Sequence, residues 1–169
     1  MKRQTILFLL LLAAVAAHAA EITTVIVVRH ADRANITQNS PLSAAGFARA
    51  NELARVLADV TIDAIYATTF VRTQQTVAPL AKEHRLQPAI FETNKNYERD
   101  LAADIVNRHG GGTVVVASHS DRIPDLLRAL GVASPPSISM TEYDDLFVCM
   151  ILPDQPTKLL TLRYGAKAR

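Results

Sequence analysis

The stretch that decides the fold of this chain is VIVVRHADR, residues 25–33, in which an unbroken apolar run ends in an arginine and a histidine. An unbroken apolar run is typical of a strand that is covered on both faces, as in the parallel sheet of an α/β protein. A second stretch, VVVASHSD at residues 114–121, has the same arrangement. Because ligands bind beyond the carboxyl ends of parallel strands, we expect His30 and His119 to face each other there if the two strands are neighbours.

Segments of helical period separate the apolar runs in the rest of the chain, so that strands and helices alternate. This alternation predicts a three-layer α/β sandwich with a mainly parallel central sheet. Only the short segment 153–157 separates the last two strands, which predicts a C-terminal antiparallel hairpin. The predicted strands are 23–28, 64–67, 88–91, 113–118, 146–152 and 158–164. The predicted helices are one that begins at Pro41 or Ser43, one over 69–84, one from about Glu98 to Arg108, and one that Gly131 caps.

Two apolar patterns predict parts of the core. In the first helix, Leu53, Val56, Leu57 and Val60 recur at helical spacing and are expected to share the buried face. The single cysteine, Cys149, lies within the apolar strand near the C-terminus. It is expected to be a small buried residue, because a lone cysteine has no intrachain disulfide partner.

The first nineteen residues are typical of a secretory signal peptide. Lys2 and Arg3 are followed by an apolar run over residues 6–17 and then by Ala-His-Ala at 17–19, a small-x-small cleavage pattern. Those 12 apolar residues are fewer than the roughly 20 that a membrane-spanning helix needs. We therefore expect residues 1–19 to be removed and residues 20–169 to form a single domain, periplasmic or secreted, without a membrane span.

The charge balance gives no indication of a nucleic-acid partner. The chain has 18 basic and 16 acidic side chains, and removal of Lys2 and Arg3 would leave 16 of each. No basic run is present, so positive charge that serves function must be concentrated at a site. The five histidines and one cysteine do not have metal-ligand spacing, and we expect neither a metal ion nor a cofactor.

A third place of interest is the segment 65–77, where a strand turns into a helix that carries Arg72 near its start. The amides at a helix N-terminus favour an anion, and an arginine adds a planar set of donors. Neutral imidazole is a good nucleophile toward phosphorus, and cations stabilise the charge on the transferred phosphoryl group. The pattern therefore indicates phosphoryl transfer, with Arg29, Arg72 and a protonated His119 as the cations.

Four motifs carry a resemblance to the histidine phosphatase superfamily, which includes the phosphoglycerate mutases. Residues 28–31, VRHA, resemble its Arg-His-Gly signature, with Ala in place of Gly as in one subgroup. Residues 41–50, PLSAAGFARA, resemble its Leu-(Ser/Thr)-x-x-Gly-x-x-(Gln/Arg)-Ala segment. Residues 65–77, IYATTFVRTQQTV, are similar to its Tyr-Ser-Ser-x-x-x-Arg-Thr-x-Gln-Thr-Ala stretch, and residues 116–120, VASHS, resemble its Gly-His-(Ser/Gly).

The resemblance implies a role for each matching residue. His30 would be the nucleophile that carries the phosphoryl group, and Arg29, Arg72 and His119 would surround the phosphate. It implies a phosphoglycerate mutase-like fold and a small, exported member of the Arg-His-Ala subgroup. It does not settle the general acid, for which two candidates remain. Glu98 follows Arg72 by 26 residues, close to the family's usual place, and Asp32 matches an acidic position of the subgroup. Asp121 is a third, poorer candidate.

The short chain favours a phosphatase of the histidine acid phosphatase type, acting on a phosphorylated small molecule. Only 46 residues separate Arg72 from His119, which leaves little chain for a lid. A phosphoglycerate mutase-like phosphotransferase must shield its phosphohistidine from water, and such a small cap is poorly suited to this. The alternative from another class is a module that binds a phosphate or phosphosugar with little turnover.

Export can be tested by the N-terminus of the processed protein. Expressed with its natural leader in a Gram-negative host, the chain should be recovered from the envelope fraction with Ala20 as its first residue, because cleavage follows Ala19. Edman sequencing or intact mass measures this. A soluble cytosolic protein that begins at Met1 would contradict the prediction.

Overall fold

The computed structural model describes residues 21–167, so the predicted signal peptide lies outside the described residues. Six strands and four helices follow one another along this part of the chain. In order they are β1 (Thr23–Arg29), α1 (Ala44–Val56), β2 (Ala64–Thr68), α2 (Val71–His84), β3 (Ala89–Phe91), α3 (Tyr97–His109), β4 (Thr113–Ser118), α4 (Ile123–Ala129), β5 (Asp145–Ile151) and β6 (Lys158–Arg163).

All six strands form one sheet, in the order β3-β2-β4-β1-β5-β6. The first four strands in that order are mutually parallel. Strand β5 runs antiparallel to both β1 and β6, and β5 and β6 form the C-terminal hairpin. The predicted fold class is therefore confirmed. The nucleophile candidate His30 follows β1, an interior strand of the sheet.

Helices cover both faces of the sheet, which explains why β1 is apolar at every position. Val25 and Val27 point into the core beneath α3 and α4, whereas Ile26 and Val28 point into the core beneath α1 and α2. Each of these four side chains is almost fully removed from water, and each such burial contributes roughly 1.5–3 kcal/mol to the stability of the folded state. Cys149 is also buried there, as expected.

The first helix differs from the prediction at its C-terminal end. It begins after Ser43, whose Oγ accepts a hydrogen bond from the Gly46 amide at 3.1 Å. It ends at Val56, so Val60 lies beyond it in a turn, and Val56 is partly exposed rather than buried. The assignment of Val56 to the buried face was wrong, because the helix packs along the stripe that contains Leu53 and Leu57, and Val56 lies at its margin.

The segment after β1 is held against the start of α1. The Asp32 carbonyl accepts a hydrogen bond from the Ser43 amide at 2.8 Å, and Gly46 packs directly on the same carbonyl, where a larger residue would collide with it. Ala31 is buried with Leu42. This close packing determines where the chain runs as it leaves the nucleophile candidate.

None of the helices within residues 21–167 is long and apolar enough to cross a membrane.

Candidate active site

A cavity of about 500 Å³ opens at the carboxyl edge of the sheet, above the ends of β1 and β4. The parallel register pairs Arg29 with Ser118, and therefore His30 and His119 follow neighbouring strands at the same level. Their ring centroids are 5.4 Å apart, as the sequence predicted. The residues that line the cavity are Arg29, His30, Arg33, Phe70, Arg72, Thr93, His119, Ser120, Asp121, Arg122, Ile138 and Met140.

His30 is held as a neutral imidazole with one nitrogen free. Its Nδ1 lies 2.9 Å from the carbonyl oxygen of Ala31, and because that oxygen can only accept, Nδ1 carries the proton. Burial lowers the pKa of His30 to about 3, and the nearby charge of Arg72 also lowers it. At neutral pH the unprotonated Nε2 therefore carries the lone pair that a nucleophile needs.

Without a bound phosphate, the hydrogen bonds of His119 are also those of a neutral imidazole. Arg72 Nη2 lies 3.3 Å from Nδ1, and a guanidinium can only donate, so Nδ1 is unprotonated. Nε2 then donates to Thr68 Oγ1, 3.0 Å away. Burial lowers the pKa of His119 to about 4, and Arg72 lowers it further in the same direction. Two neutral imidazoles between arginines are the consequence of this desolvation.

Arg72 reaches the cavity from the first turn of α2. Its Nη1 donates to the carbonyl of Gln38 at 2.7 Å, and its guanidinium lies 4.4 Å from the ring of Phe70. The N-terminus of this helix is capped from the preceding loop, since the Val71 amide donates to Asn39 Oδ1 at 2.9 Å. The loop thus holds both the helix end and its arginine.

Arg29 is buried and is held by a segment that the sequence did not indicate. Its Nη1 donates to the carbonyls of Ser139, Met140 and Glu142 at 3.1, 2.9 and 2.7 Å. Its Cζ lies 3.9 Å from the centroid of the Tyr143 ring. Within residues 21–167, Nη2 has no hydrogen-bond partner and is left for a ligand. Every residue has a main-chain carbonyl, and no sequence pattern shows that Tyr143 stacks on Arg29. The sequence analysis therefore did not predict that this segment holds Arg29.

The two carboxylates predicted as general acids do not reach the cavity. Glu98 is ion-paired with Arg122, at 3.0 Å between Oε1 and Nη1. Asp32 is ion-paired with Arg49, at 2.7 Å between Oδ2 and Nε, because the segment after β1 is packed against α1. Among the lining residues in the described part of the chain, the one carboxylate is that of Asp121, the poorer candidate of the three.

The first half of the chain matches a known family. Residues 25–95 match the sequence profile of the histidine phosphatase superfamily (branch 1), a range that contains His30, Arg29 and Arg72. The predicted resemblance to the histidine phosphatase superfamily is confirmed. No curated protein sequence matches the chain significantly.

Solved structures of several phosphatases share the fold. A mycobacterial glucosyl-3-phosphoglycerate phosphatase has a TM-score of 0.67 at 14% identity, over 85% of this chain and 100% of its own. The protein histidine phosphatase SixA, complexed with tungstate, has a TM-score of 0.65 at 19% identity, over 83% and 96%. A phosphoserine phosphatase from Entamoeba histolytica has a TM-score of 0.63 at 16% identity, over 86% and 98%. At such identities the likeness shows the fold alone.

Three further residues of the cavity were not predicted from the sequence. Arg33 and Arg122 line the cavity, and Phe70 forms part of its wall with its ring 5.1 Å from that of His119. Arg33 lies three residues after His30, so its position beside the motif was the available signal.

Within residues 21–167, no three His, Cys, Asp or Glu side chains are grouped so that they could hold a metal ion.

Because His30 and His119 are buried, we expect the free energy of unfolding of the protein to fall as the pH is lowered. Unfolded, each has a pKa near 6.5, whereas folded His30 and His119 have pKa values of about 3 and about 4. Between roughly pH 6.5 and these values, only the unfolded chain takes up the protons, and each histidine can lower the free energy of unfolding by up to ~1.4 kcal/mol per pH unit.

Urea denaturation of wild type and the double variant His30→Asn/His119→Asn at pH 7, 6 and 5 measures this. The free energy of unfolding of the wild type should fall more steeply with decreasing pH. Equal slopes for the two proteins would show that these histidines are not desolvated as described.

Proposed function

We propose that this protein is a phosphatase that hydrolyses phosphate monoesters through a phosphohistidine on His30. The observation that carries the proposal is the contact of His30 Nδ1 with the Ala31 carbonyl, 2.9 Å away. Because that oxygen can only accept, Nδ1 donates, which leaves the Nε2 lone pair free in the cavity that Arg29, Arg72 and His119 also line. A buried imidazole in this state can attack phosphorus without first losing a proton.

In the first step, His30 Nε2 forms a bond to phosphorus while the bond from phosphorus to the ester oxygen breaks. Arg29 Nη2 and the Arg72 guanidinium stabilise the negative charge of the equatorial oxygens. In the second step, water attacks phosphorus, the bond to Nε2 breaks, and one proton of the water passes to the group that protonated the leaving oxygen. This gives inorganic phosphate and returns His30 to its neutral state. A bound phosphate dianion would also favour the protonated form of His119, which could then donate to it.

The leaving alkoxide needs a proton, and we assign its donor to Asp121. Its side chain lines the cavity, whereas Glu98 and Asp32 are held in ion pairs with arginines. Asp121 is exposed to solvent where it lines the cavity, so a leaving group that departs toward the solvent would pass it.

Phosphatase is favoured over phosphotransferase because the cavity is open to water. Asp121 is exposed and Met140 has 72% of its surface in solvent, so both flank an accessible entrance. A transferase must keep water from its phosphohistidine. The three solved structures described above are named as phosphatases, and one holds tungstate, an oxyanion that resembles phosphate. This is consistent with a phosphorylated substrate here.

The exposure of Asp121 also favours a second candidate, a binding module that holds a phosphate group with little turnover. Both candidates use the same arginines and predict tight oxyanion binding. They differ in turnover of alkyl esters.

We further propose export of the protein to the periplasm or medium, on the basis of residues 1–19.

The role of His30 can be tested by removing its imidazole. His30→Ala should abolish hydrolysis of p-nitrophenyl phosphate, because no nucleophile remains. The variant should still bind tungstate in a calorimetric titration, since both arginines are retained. Rapid quenching of wild type with labelled substrate should give an acid-labile, alkali-stable protein phosphate that the variant lacks. Turnover by a folded His30→Ala protein at the wild-type rate would refute the assignment.

The general acid can be identified by its dependence on the leaving group. Alkyl phosphates need a proton donor much more than aryl phosphates do, and loss of a general acid costs on the order of 100-fold in rate. Asp121→Asn should lower kcat/KM for an alkyl phosphate far more than for p-nitrophenyl phosphate. Glu98→Gln and Asp32→Asn serve as matched controls and should not change that ratio.

A changed ratio in Glu98→Gln or Asp32→Asn, with none in Asp121→Asn, would reject Asp121 as the donor. A wild type that binds tungstate but hydrolyses neither ester would favour the binding module.

A further inference from the structure

Tyr143 is not among the residues that line the cavity, yet its ring lies against two residues that are. The centroid of the ring is 3.9 Å from Cζ of Arg29 and 5.9 Å from the centroid of the His30 ring. Both distances are typical of favourable aromatic contacts in proteins. Tyr143 therefore contacts one cation and the nucleophile of the proposed reaction without forming part of the cavity wall.

The guanidinium of Arg29 is held by the protein at one nitrogen and is free along one edge. Its Nη1 donates to the carbonyls of Ser139, Met140 and Glu142. Among the described residues, its buried Nε has no hydrogen-bond partner. Nε and Nη2 form a single edge of the planar group, and their N–H bonds are parallel, so this edge can bind two oxygens of one phosphoryl group.

The groups that contact Arg29 hold its charge without neutralising it. Arg29 has 3% of its surface exposed, and burial is the largest of the influences that lower its pKa. Its protein contacts at Nη1 and at Cζ are neutral carbonyls and the face of the Tyr143 ring. A ring face attracts a cation, and the attraction is stronger where water is excluded. The ring thus stabilises a buried cation whose free edge remains available to an oxyanion.

The carbonyl contacts alone do not fix the plane of the guanidinium. Nη1 has two N–H groups for three carbonyls, so at least two of these contacts share a hydrogen. They fix the position of Nη1, but the plane can still turn about that end. The Tyr143 ring lies against Cζ and blocks this rotation on one side. The ring is itself held firmly, because β5 begins two residues later and pairs with β1, the strand that carries Arg29.

We propose that Tyr143 is a positioning residue that holds the free edge of Arg29 toward the phosphoryl group. This rests on the proposed phosphatase function, in which that group is transferred to His30. Tyr143 does not contact the substrate in this account and acts through Arg29. The ring face makes the contact, so phenylalanine should be able to replace tyrosine, whereas a non-aromatic side chain should not.

The experiment measures the affinity for tungstate by calorimetry and kcat/KM for p-nitrophenyl phosphate. Tyr143→Leu should lower both by roughly tenfold, the effect of one cation–π contact removed from water. Tyr143→Phe should retain both. Tyr143 is half-buried, so the fold should tolerate these changes, which urea denaturation checks, and Tyr143→Met is a second non-aromatic variant. Phe47→Leu, which removes a 45% exposed ring of α1 outside the cavity, is the matched control and should change neither quantity.

A double-mutant cycle with Arg29→Lys separates positioning from a general loosening of the site. A lysine can still donate to the carbonyls but has no planar edge to orient. In the Arg29→Lys background, Tyr143→Leu should therefore change the tungstate affinity by less than about twofold. The same tenfold loss in both backgrounds would show that the ring does not act through Arg29, and would overturn the inference.

Two further outcomes would also overturn it: an unchanged tungstate affinity in folded Tyr143→Leu and Tyr143→Met proteins, or an equal loss in Tyr143→Phe. If wild type binds tungstate but hydrolyses no ester, the phosphatase proposal fails, and the tungstate affinities alone decide the role of Tyr143. A wild type that does not bind tungstate would contradict both proposals.

Discussion

The parallel pairing of β1 with β4 is the constraint on which the rest of the site depends. It places two buried imidazoles 5.4 Å apart at the same sheet edge, beside Arg29 at the end of β1 and Arg72 from α2. Both strands are covered by helices on both faces, so the histidines at their ends are withdrawn from water. This withdrawal keeps the imidazoles uncharged although cations surround them, and the positive charge of the cavity comes from arginine alone.

Each arginine of the cavity is positioned by a different part of the fold. Arg29 is buried beneath carbonyls of the segment before β5 and stacks on Tyr143. Arg72 is held by the loop that also caps α2. Because a guanidinium cannot lose its charge, it provides the site's positive charge at any pH where the protein is folded. Main-chain carbonyls orient these guanidinium groups by accepting hydrogen bonds from them, and a neutral carbonyl leaves their positive charge in place.

Two acidic residues, Asp32 and Glu98, are held away from the cavity by ion pairs. Asp32 and Glu98 were attractive candidates because of their spacing from the motifs, yet each lies beside an arginine of a neighbouring helix or turn. Held in these ion pairs, neither carboxylate lines the cavity. Among the described residues, Asp121 is the carboxylate that remains in the lining of the cavity, and it is exposed to solvent.

By itself the sequence determined the fold class, the position of a histidine at the end of each of two buried strands, and Arg29 and Arg72 as candidates for one site, whereas the pairing of those two strands came from the structure. These follow from local patterns: apolar runs of strand length, a motif at each strand end and turn residues between them. The tertiary structure alone decided the hydrogen-bond partners of His119, the partners of Glu98 and Asp32, the exposed position of Val56, and the support that Tyr143 and its segment give to Arg29. The physical reason is that burial and ion pairing depend on which distant residues come together. Strand propensity and motif spacing are local properties, and they do not show which distant residues meet in the folded chain.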